Sequence, residues 1–290
     1  MAYPSKVVAE PGATSMPMMH AWPGAKSGRY SGGGRNWNPF STLMLAGCRE
    51  ILLVVNPQDE ASYRRLFGDG RQWGLEIDYA VQQKPGGVAE VFLVARRFIG
   101  KDRVALILGD NLFYGDALPA MAERGMRGHG AVIYAYWVSD PSAYGVVEFD
   151  AGDRPVRIVE KPQAPHSNWA VTGLYFYDAD VCDIAASLPR SARGELEITD
   201  VNACYLKEGR LTVEKLGRGY AWLDTGTPSS LLRAAQFVET VEDRQGLQIG
   251  SPEEVAWRKG YIDDAGLARL IEPIAESEYG KYLKRLLAQG

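Results

Sequence analysis

The chain has 290 residues and a formal net charge of −4, with a pI of about 5.6. That length allows one large or two modest domains, and the balance of charge argues against a nucleic-acid polymer as partner. No apolar run approaches the roughly 18 residues a membrane span needs and no signal-peptide core is legible, so a cytoplasmic protein with no membrane partner is expected.

The three cysteines, Cys48, Cys182 and Cys204, and the three histidines, His20, His129 and His166, show no metal-ligand spacing. The cysteines read as buried or free thiols in a reducing compartment. Residues 1–38 differ from the rest. They hold Pro4, Pro11, Pro17 and Pro23 and the run Gly32-Gly33-Gly34, with no apolar run long enough for a core strand. This composition predicts loop or disorder. From Pro39 the texture changes. Phe40 to Gly47 predicts a helix, Glu50 to Val55 a buried strand, and Glu60 to Phe67 a helix closed by Gly68. Leu75 to Val81 alternates as a strand, Gly87 to Phe98 predicts a helix, and Val104 to Leu108 a strand buried on both faces. Such alternation predicts an α/β fold with a parallel sheet and right-handed crossovers.

Beyond residue 131 strands dominate: Ala131 to Val138, Tyr144 to Asp150 with a hairpin partner Pro155 to Glu160, and Trp169 to Tyr177. These predict an antiparallel or mixed extension of the first sheet. Helices at Ala179 to Ser187 and Glu197 to Glu208 bracket the approach to a strand, Leu211 to Leu216. After Asp224-Thr225-Gly226-Thr227 the chain reads as mostly helical, with Thr227 as the N-cap before Pro228.

Five stretches carry candidate chemistry. Gly109-Asp110-Asn111 follows a buried strand, where open α/β sheets bind ligands. Trp222-Leu223-Asp224-Thr225-Gly226-Thr227 is a second acid after apolar residues. Two such acids can share one Mg²⁺ with phosphate oxygens and water; the plain alternative is a pair of turn aspartates. Glu160-Lys161-Pro162 ends a strand with a sugar-hydroxyl acceptor and a phosphate cation, or with an ordinary surface ion pair. Arg193 to Asp200 reads equally as a helix start with acids in its first turn. Gln82-Gln83-Lys84-Pro85-Gly86-Gly87 offers a base-reading amide and a glycine pair that admits a nucleotide, or a plain strand–turn–helix link.

In this order, and with Ser41-Thr42-Leu43-Met44-Leu45-Ala46-Gly47, Tyr144-Gly145-Val146-Val147-Glu148-Phe149 and Ser167 to Tyr175, these motifs resemble the bacterial sugar-1-phosphate nucleotidyltransferases from about Pro39 to the C-terminus. The resemblance implies a Rossmann-like, mixed but mainly parallel sheet flanked by helices, with a small antiparallel β extension and a helical C-terminus. It implies a nucleotidyltransferase domain over residues 39–240, a helical oligomerisation and regulatory segment over 241–290, and a homotetramer. It further implies transfer of a thymidylyl group from dTTP to α-D-glucose 1-phosphate, giving dTDP-glucose and pyrophosphate. Asp110 and Asp224 would hold Mg²⁺ at the α-phosphate as the catalytic pair. Gln82 and Gly87 would contact the thymine. Asn111, Gly145, Glu160, Lys161 and Val171 would bind the sugar phosphate, with Trp222 nearby. Competing readings are a non-catalytic sugar-phosphate-binding or assembly homologue, and a related uridylyl- or cytidylyltransferase.

The chain departs from the family at two places. The family opens with a strand, a Gly-Gly-x-Gly-Thr-Arg-Leu loop and a lysine before Leu-Leu-Pro. None of this is legible in residues 1–38, and Gly32-Gly33-Gly34-Arg35 follows no strand. The overall length matches the family's, so the segment reads as replaced, by a shifted reading frame restored near Pro39 or by decay of a duplicated copy. The first sheet strand is therefore expected to be absent and activity to be low. The family's base loop reads Gln-Pro-x-Pro-Asp-Gly-Leu-Ala-Gln, where this chain has Gln82-Gln83-Lys84-Pro85-Gly86-Gly87-Val88-Ala89-Glu90.

Overall fold

The structure is a computed structural model that describes residues 6–10, 37–84 and 86–290. In chain order it contains β1 (Lys6–Glu10), α1 (Trp37–Leu45), β2 (Glu50–Val55), α2 (Glu60–Phe67), β3 (Glu76–Val81), α3 (Val91–Val94) and α4 (Arg96–Ile99). Next come β4 (Val104–Leu108), β5 (Asn111–Gly115), α5 (Leu118–Arg127), β6 (Ala131–Trp137), β7 (Gly145–Phe149), β8 (Pro155–Glu160) and β9 (Trp169–Tyr177). The remainder is α6 (Val181–Ser187), α7 (Ile198–Lys207), β10 (Leu211–Leu216), β11 (Tyr220–Asp224), α8 (Pro228–Gln245), α9 (Pro252–Arg258), α10 (Asp264–Ile271) and α11 (Glu278–Gln289).

One sheet runs β10-β6-β9-β4-β1-β2-β3, and the β7–β8 hairpin joins it through β9. Strands β4, β1, β2 and β3 are parallel neighbours. Strand β9 lies antiparallel to both β4 and β6, and β10 is parallel to β6. The sheet is therefore mixed and mainly parallel, with an antiparallel extension. Successive side chains of β4 serve two cores, which explains its unbroken apolar run. Ala105 and Ile107 pack with Leu43 and Met44 of α1, Phe67 of α2 and Met121 of α5. Val104 and Leu106 pack with Phe92 of α3, Val181 of α6 and Tyr205 of α7. Each fully buried aliphatic side chain of this kind contributes about 1.5–3 kcal/mol.

The expectation that the first strand is missing is overturned. Lys6–Glu10 forms β1 in the middle of the sheet, paired with β2 from Lys6↔Glu50 and with β4 from Lys6↔Val104. Two ready-made parallel neighbours supply the ladder on both sides, and that backbone demand, not an apolar pattern, selects the strand. Lys6 fastens its start through an ion pair with Asp102 at 3.0 Å. The same expectation fails at Trp37 and Asn38, which open α1, and over residues 1–5 and 11–36 it lies outside the described residues. A second correction concerns Gly87 to Phe98. This is no single helix but a 3₁₀ turn at Val88–Glu90 followed by the four-residue helices α3 and α4. The break falls at Ala95, whose ψ of 0° leaves the α-helical well.

The start of α8 follows its sequence. Thr227 caps it, accepting from the Ser230 amide at 3.1 Å, and Pro228 occupies the first turn. The C-terminal helices gather a small cluster of Leu267, Ile271, Tyr282, Leu283 and Leu286. Glu253 ties them to the main core. Its buried carboxylate accepts from Trp73 Nε1 at 3.1 Å and from the Tyr279 hydroxyl at 2.6 Å. Burial pushes its carboxyl above the usual range. Glu253→Leu takes the acceptor from buried Trp73 Nε1 and leaves the Tyr279 hydroxyl with Ser251 Oγ alone, so it is expected to cost about 2 kcal/mol. Urea denaturation checks this; a loss under about 1 kcal/mol would show that the donors find other partners.

Candidate active site

The antiparallel ribbon of β5 and β11 brings together two acids far apart in sequence. Its register pairs Asp224 with Asn111, so Asp110 and Asp224 stand at one end of the ribbon. Thr225 clamps the join, donating from its amide and its hydroxyl to the Asp110 carbonyl, both at 2.8 Å. Gly226 donates its amide to Asp224 Oδ1 at 2.7 Å. A Cβ at Gly226 would lie 3.0 Å from Asp224 Oδ1 and 3.5 Å from Asp110 Oδ2. Both carboxylates therefore face the space that this glycine leaves open.

Burial raises the Asp110 carboxyl above its usual range, the Asp224 charge adds to this, and the Asn111 amide works against it. Two acids whose carboxylates face one space suit a bound cation. Among the described residues no set of three or more acid, histidine or cysteine ligands gathers. Two carboxylates facing one space fit Mg²⁺, which commonly takes one or two carboxylates and completes its shell with phosphate oxygens and water. A raised folded-state carboxyl pKa means that ionised Asp110 costs stability. The cost is full above that raised pKa and fades as pH falls through it toward about 3.9. Asp110→Asn is therefore expected to raise the melting temperature at pH 7, a gain that disappears in acid. Thermal melts across pH check it; equal melting temperatures at pH 7 would contradict it.

Asn111 is buried and heavily engaged. Its Oδ1 accepts from Trp222 Nε1 at 2.6 Å and from the Gly173 amide at 3.0 Å, while its Nδ2 donates to Asp110 Oδ1 at 2.7 Å. In this arrangement it orients Asp110 and keeps one amide hydrogen spare. Gly173 must be glycine here, since a Cβ would sit 2.5 Å from the Asn111 amide. Trp222 meets the rings of Tyr144 and Tyr136 edge-on, at 5.1 Å and 6.0 Å.

Tyr144 leads from the acids to a second cradle. Its hydroxyl is 3.5 Å from Asp224 Oδ2, and its carbonyl accepts from the Lys161 amide at 3.0 Å. Burial, then the Asp224 charge, pushes its phenol up. Gly145 pairs with Glu160 across the hairpin. A Cβ on Gly145 would lie 3.0 Å from Thr199 Oγ1, 3.5 Å from Glu160 Oε2 and 3.7 Å from Val171 Cγ2. The Thr199 hydroxyl donates to Glu160 Oε2 at 2.6 Å, and Arg193 Nη2 lies 3.5 Å from Glu160 Oε1. Lys161 is exposed, with Nζ 3.7 Å from Glu160 Oε1 and a φ of +41°. That conformation is uncommon for a residue with a side chain and is often kept at functional turns. Gly145, Glu160, Lys161 and Val171 thus converge, and Tyr144 and Thr199 join them. Sequence reasoning passed over these two. Tyr144 was legible only as the neighbour of Gly145, and Thr199 only as part of a helix start.

Gln82 and Gly87 stand farther along the same sheet edge. Ile107, Ala9, Leu53 and Tyr79 form one row across β4, β1, β2 and β3. Asp110 and Gln82 each lie three residues beyond it, separated by three strand spacings, about 14 Å. That span matches a nucleotide laid along the carboxyl edge of the sheet, base at one end and phosphate at the other. Gly87 owes its glycine to the chain itself. Its φ is +94°, and a Cβ would strike the Leu196 backbone.

Two acids at a ribbon end, beside a hydroxyl-lined cradle and below the carboxyl edge of a parallel sheet, define an α/β enzyme that acts on phosphate esters. The chain belongs to the nucleotidyl transferase family, whose model matches residues 36–241. It is 55% identical over 249 residues to a glucose-1-phosphate thymidylyltransferase of Mycolicibacterium smegmatis, covering 86% of each chain. It is 52% identical over 253 residues to the Xanthomonas campestris enzyme of the same name, covering 87% of this chain and 86% of that one. Among solved structures, a glucose-1-phosphate thymidylyltransferase from Bacillus anthracis in complex with sucrose superposes with a TM-score of 0.69 at 34% identity, over 80% of this chain and 94% of that one. A UDP-glucose pyrophosphorylase complexed with UDP-glucose shares the fold at a TM-score of 0.66 and 20% identity, over 81% of this chain and 98% of that one.

Proposed function

We propose that this chain's site serves transfer of a thymidylyl group from dTTP to α-D-glucose 1-phosphate, with dTDP-glucose and pyrophosphate as products. The observation that carries the reading is the meeting of Asp110 and Asp224 at Gly226, joined through Tyr144 to the cradle of Gly145, Glu160 and Thr199. The names and identities of the relatives support it.

In this reading the sugar phosphate attacks the α-phosphorus in line. A bond forms from its oxygen to phosphorus, and the bond to the pyrophosphate oxygen breaks. Alignment and charge neutralisation do most of the work. Asp110 and Asp224 would hold Mg²⁺, which when bound offsets negative charge on the phosphate oxygens. Asn111 keeps the Asp110 carboxylate in place. Glu160, steadied by Thr199 and Arg193, accepts from sugar hydroxyls. Lys161 supplies a point charge to the sugar phosphate, and Val171 walls the cradle. Gln82 reads the base. We also assign residues 39–240 to the transferase domain and 241–290 to a helical oligomerisation and regulatory segment of a cytoplasmic homotetramer. No described helix is long and apolar enough to cross a membrane.

Calorimetric titration with dTDP-glucose tests the sugar side. Gly145→Val fills the cradle beside Thr199 and Glu160 and is expected to weaken binding at least tenfold. Unchanged affinity would place the sugar elsewhere.

A further inference from the structure

The amide of Gln82 has one orientation imposed on it from behind. Its Nε2 donates to Glu90 Oε2 at 2.7 Å, and Glu90 Oε1 accepts from Arg190 Nη2 at 2.8 Å. An ionised carboxylate only accepts, so it must face the NH₂ half of the amide. Glu90 is held ionised. Burial works against this, but the hydrogen bonds from Gln82 and Arg190 and the Arg190 charge outweigh it and bring the carboxyl below its usual range. Arg190 is itself fastened, donating through Nη1 to the carbonyls of Gly194 at 2.9 Å and Gly86 at 3.3 Å. No described residue donates to Gln82 Oε1.

The glycine at 86 belongs to the same device. A Cβ there would overlap the Glu90 carboxyl. The family pattern has an acid at 86 and an amide at 90; this chain has Gly86 and Glu90. The two departures occupy one volume, with the carboxylate delivered from the other side of the turn.

We propose that Glu90, clamped by Arg190, is a specificity-determining positioning residue that fixes Gln82 as a hydrogen-bond acceptor toward the nucleobase. The inference rests on the reading that Gln82 faces the base. Oε1, left without a donor among the described residues, matches a pyrimidine with a ring N–H between two carbonyls, as in thymine or uracil. It opposes the bare ring nitrogen of cytosine, which leaves two acceptors facing each other.

The sharpest test is Glu90→Gln. Arg190 can only donate, so it draws the new amide's oxygen toward itself. The new NH₂ then faces Gln82, whose Oε1 must turn inward and whose NH₂ must turn outward. A donor now meets the base where an acceptor stood. Binding of dTTP and of dCTP by the full chain is measured by calorimetry, with a thermal melt of each variant. The parent is expected to favour dTTP, and E90Q to lower the dTTP-to-dCTP affinity ratio at least tenfold with little change in melting temperature. Adding Arg190→Glu to E90Q restores an acceptor behind residue 90, returns its oxygen to Gln82, and is expected to recover the ratio. A general loosening of the turn would weaken both nucleotides alike and would not be rescued in this way. If the parent discriminates, Gln82→Ala abolishes the discrimination and E90Q leaves it intact, the role given to Glu90 is overturned while the nucleotide reading stands. If the parent does not distinguish the two nucleotides, or Gln82→Ala leaves the ratio unchanged, both fall.

Discussion

Pyrophosphate release from dTTP and α-D-glucose 1-phosphate is expected to rise at least about ten-thousandfold when residues 11–36 are exchanged for a family-type segment carrying Gly-Gly-x-Gly-Thr-Arg-Leu and the later lysine. The argument is one of position. Strand β1 ends at Glu10, between β4, which leads to Asp110, and β2, next to β3, which leads to Gln82. Strand β1 therefore ends midway along the path proposed above for the nucleotide. In the family this is where backbone amides and two cations meet the triphosphate. Here the sequence after Glu10 begins Pro11-Gly12-Ala13-Thr14-Ser15. It offers no arginine or lysine until Lys26, which precedes Ser27-Gly28. Losing one preorganised donor to developing charge costs roughly a hundredfold or more, and two such losses give the stated factor. Turnover by the chain as it stands within about tenfold of the exchanged chain would mean that another segment supplies this charge.

Asp224→Asn, placed in that exchanged chain, is expected to lower turnover by about a thousandfold, or ~4 kcal/mol in the barrier. The carboxamide can keep its oxygen on the Gly226 amide, so the fold should hold. What is lost is one of two negative charges facing the same space. Asp110 should respond as well. With its neighbour neutral, one of the two causes raising its carboxyl disappears and the other, burial, remains. The measurement is pyrophosphate release against Mg²⁺ concentration, with a thermal melt as control. Turnover within tenfold of the parent at saturating Mg²⁺ would remove Asp224 from the catalytic pair.

The sheet was legible where side chains alone dictate it. Strands β4 and β9 bury both faces, and their apolar runs say so without reference to any neighbour. Strand β1 was not legible, because its five residues are fixed by ladders to β2 and β4, and no local pattern records a partner's vacancy. The break at Ala95 was hidden for a related reason, since Gly87 to Phe98 is helix-compatible residue by residue. In the site, Asp110 stands out by following a strand and Asp224 by ending one. Asn111 was legible as a candidate, but two of its three side-chain hydrogen bonds depend on Trp222 and Gly173 arriving from elsewhere. Thr199 is seen only once Glu160 is opposite it. Gly86 and Glu90 were visible as two separate oddities, and only the overlap of their volumes makes them one.

The ribbon of β5 and β11 also sets a timetable. Asp110 leaves the ribosome long before its partner strand exists, and Tyr220–Asp224 is the last strand of the chain. A nascent polypeptide can assemble most of the sheet yet hold no complete pair of carboxylates, so cation affinity should switch on only when β11 has emerged and docked. Synthesis halted before residue 220 is expected to leave a compact, inert intermediate with the β5 edge unpaired. That exposed edge is the natural place for a chaperone to bind, or for one stalled chain to stick to another.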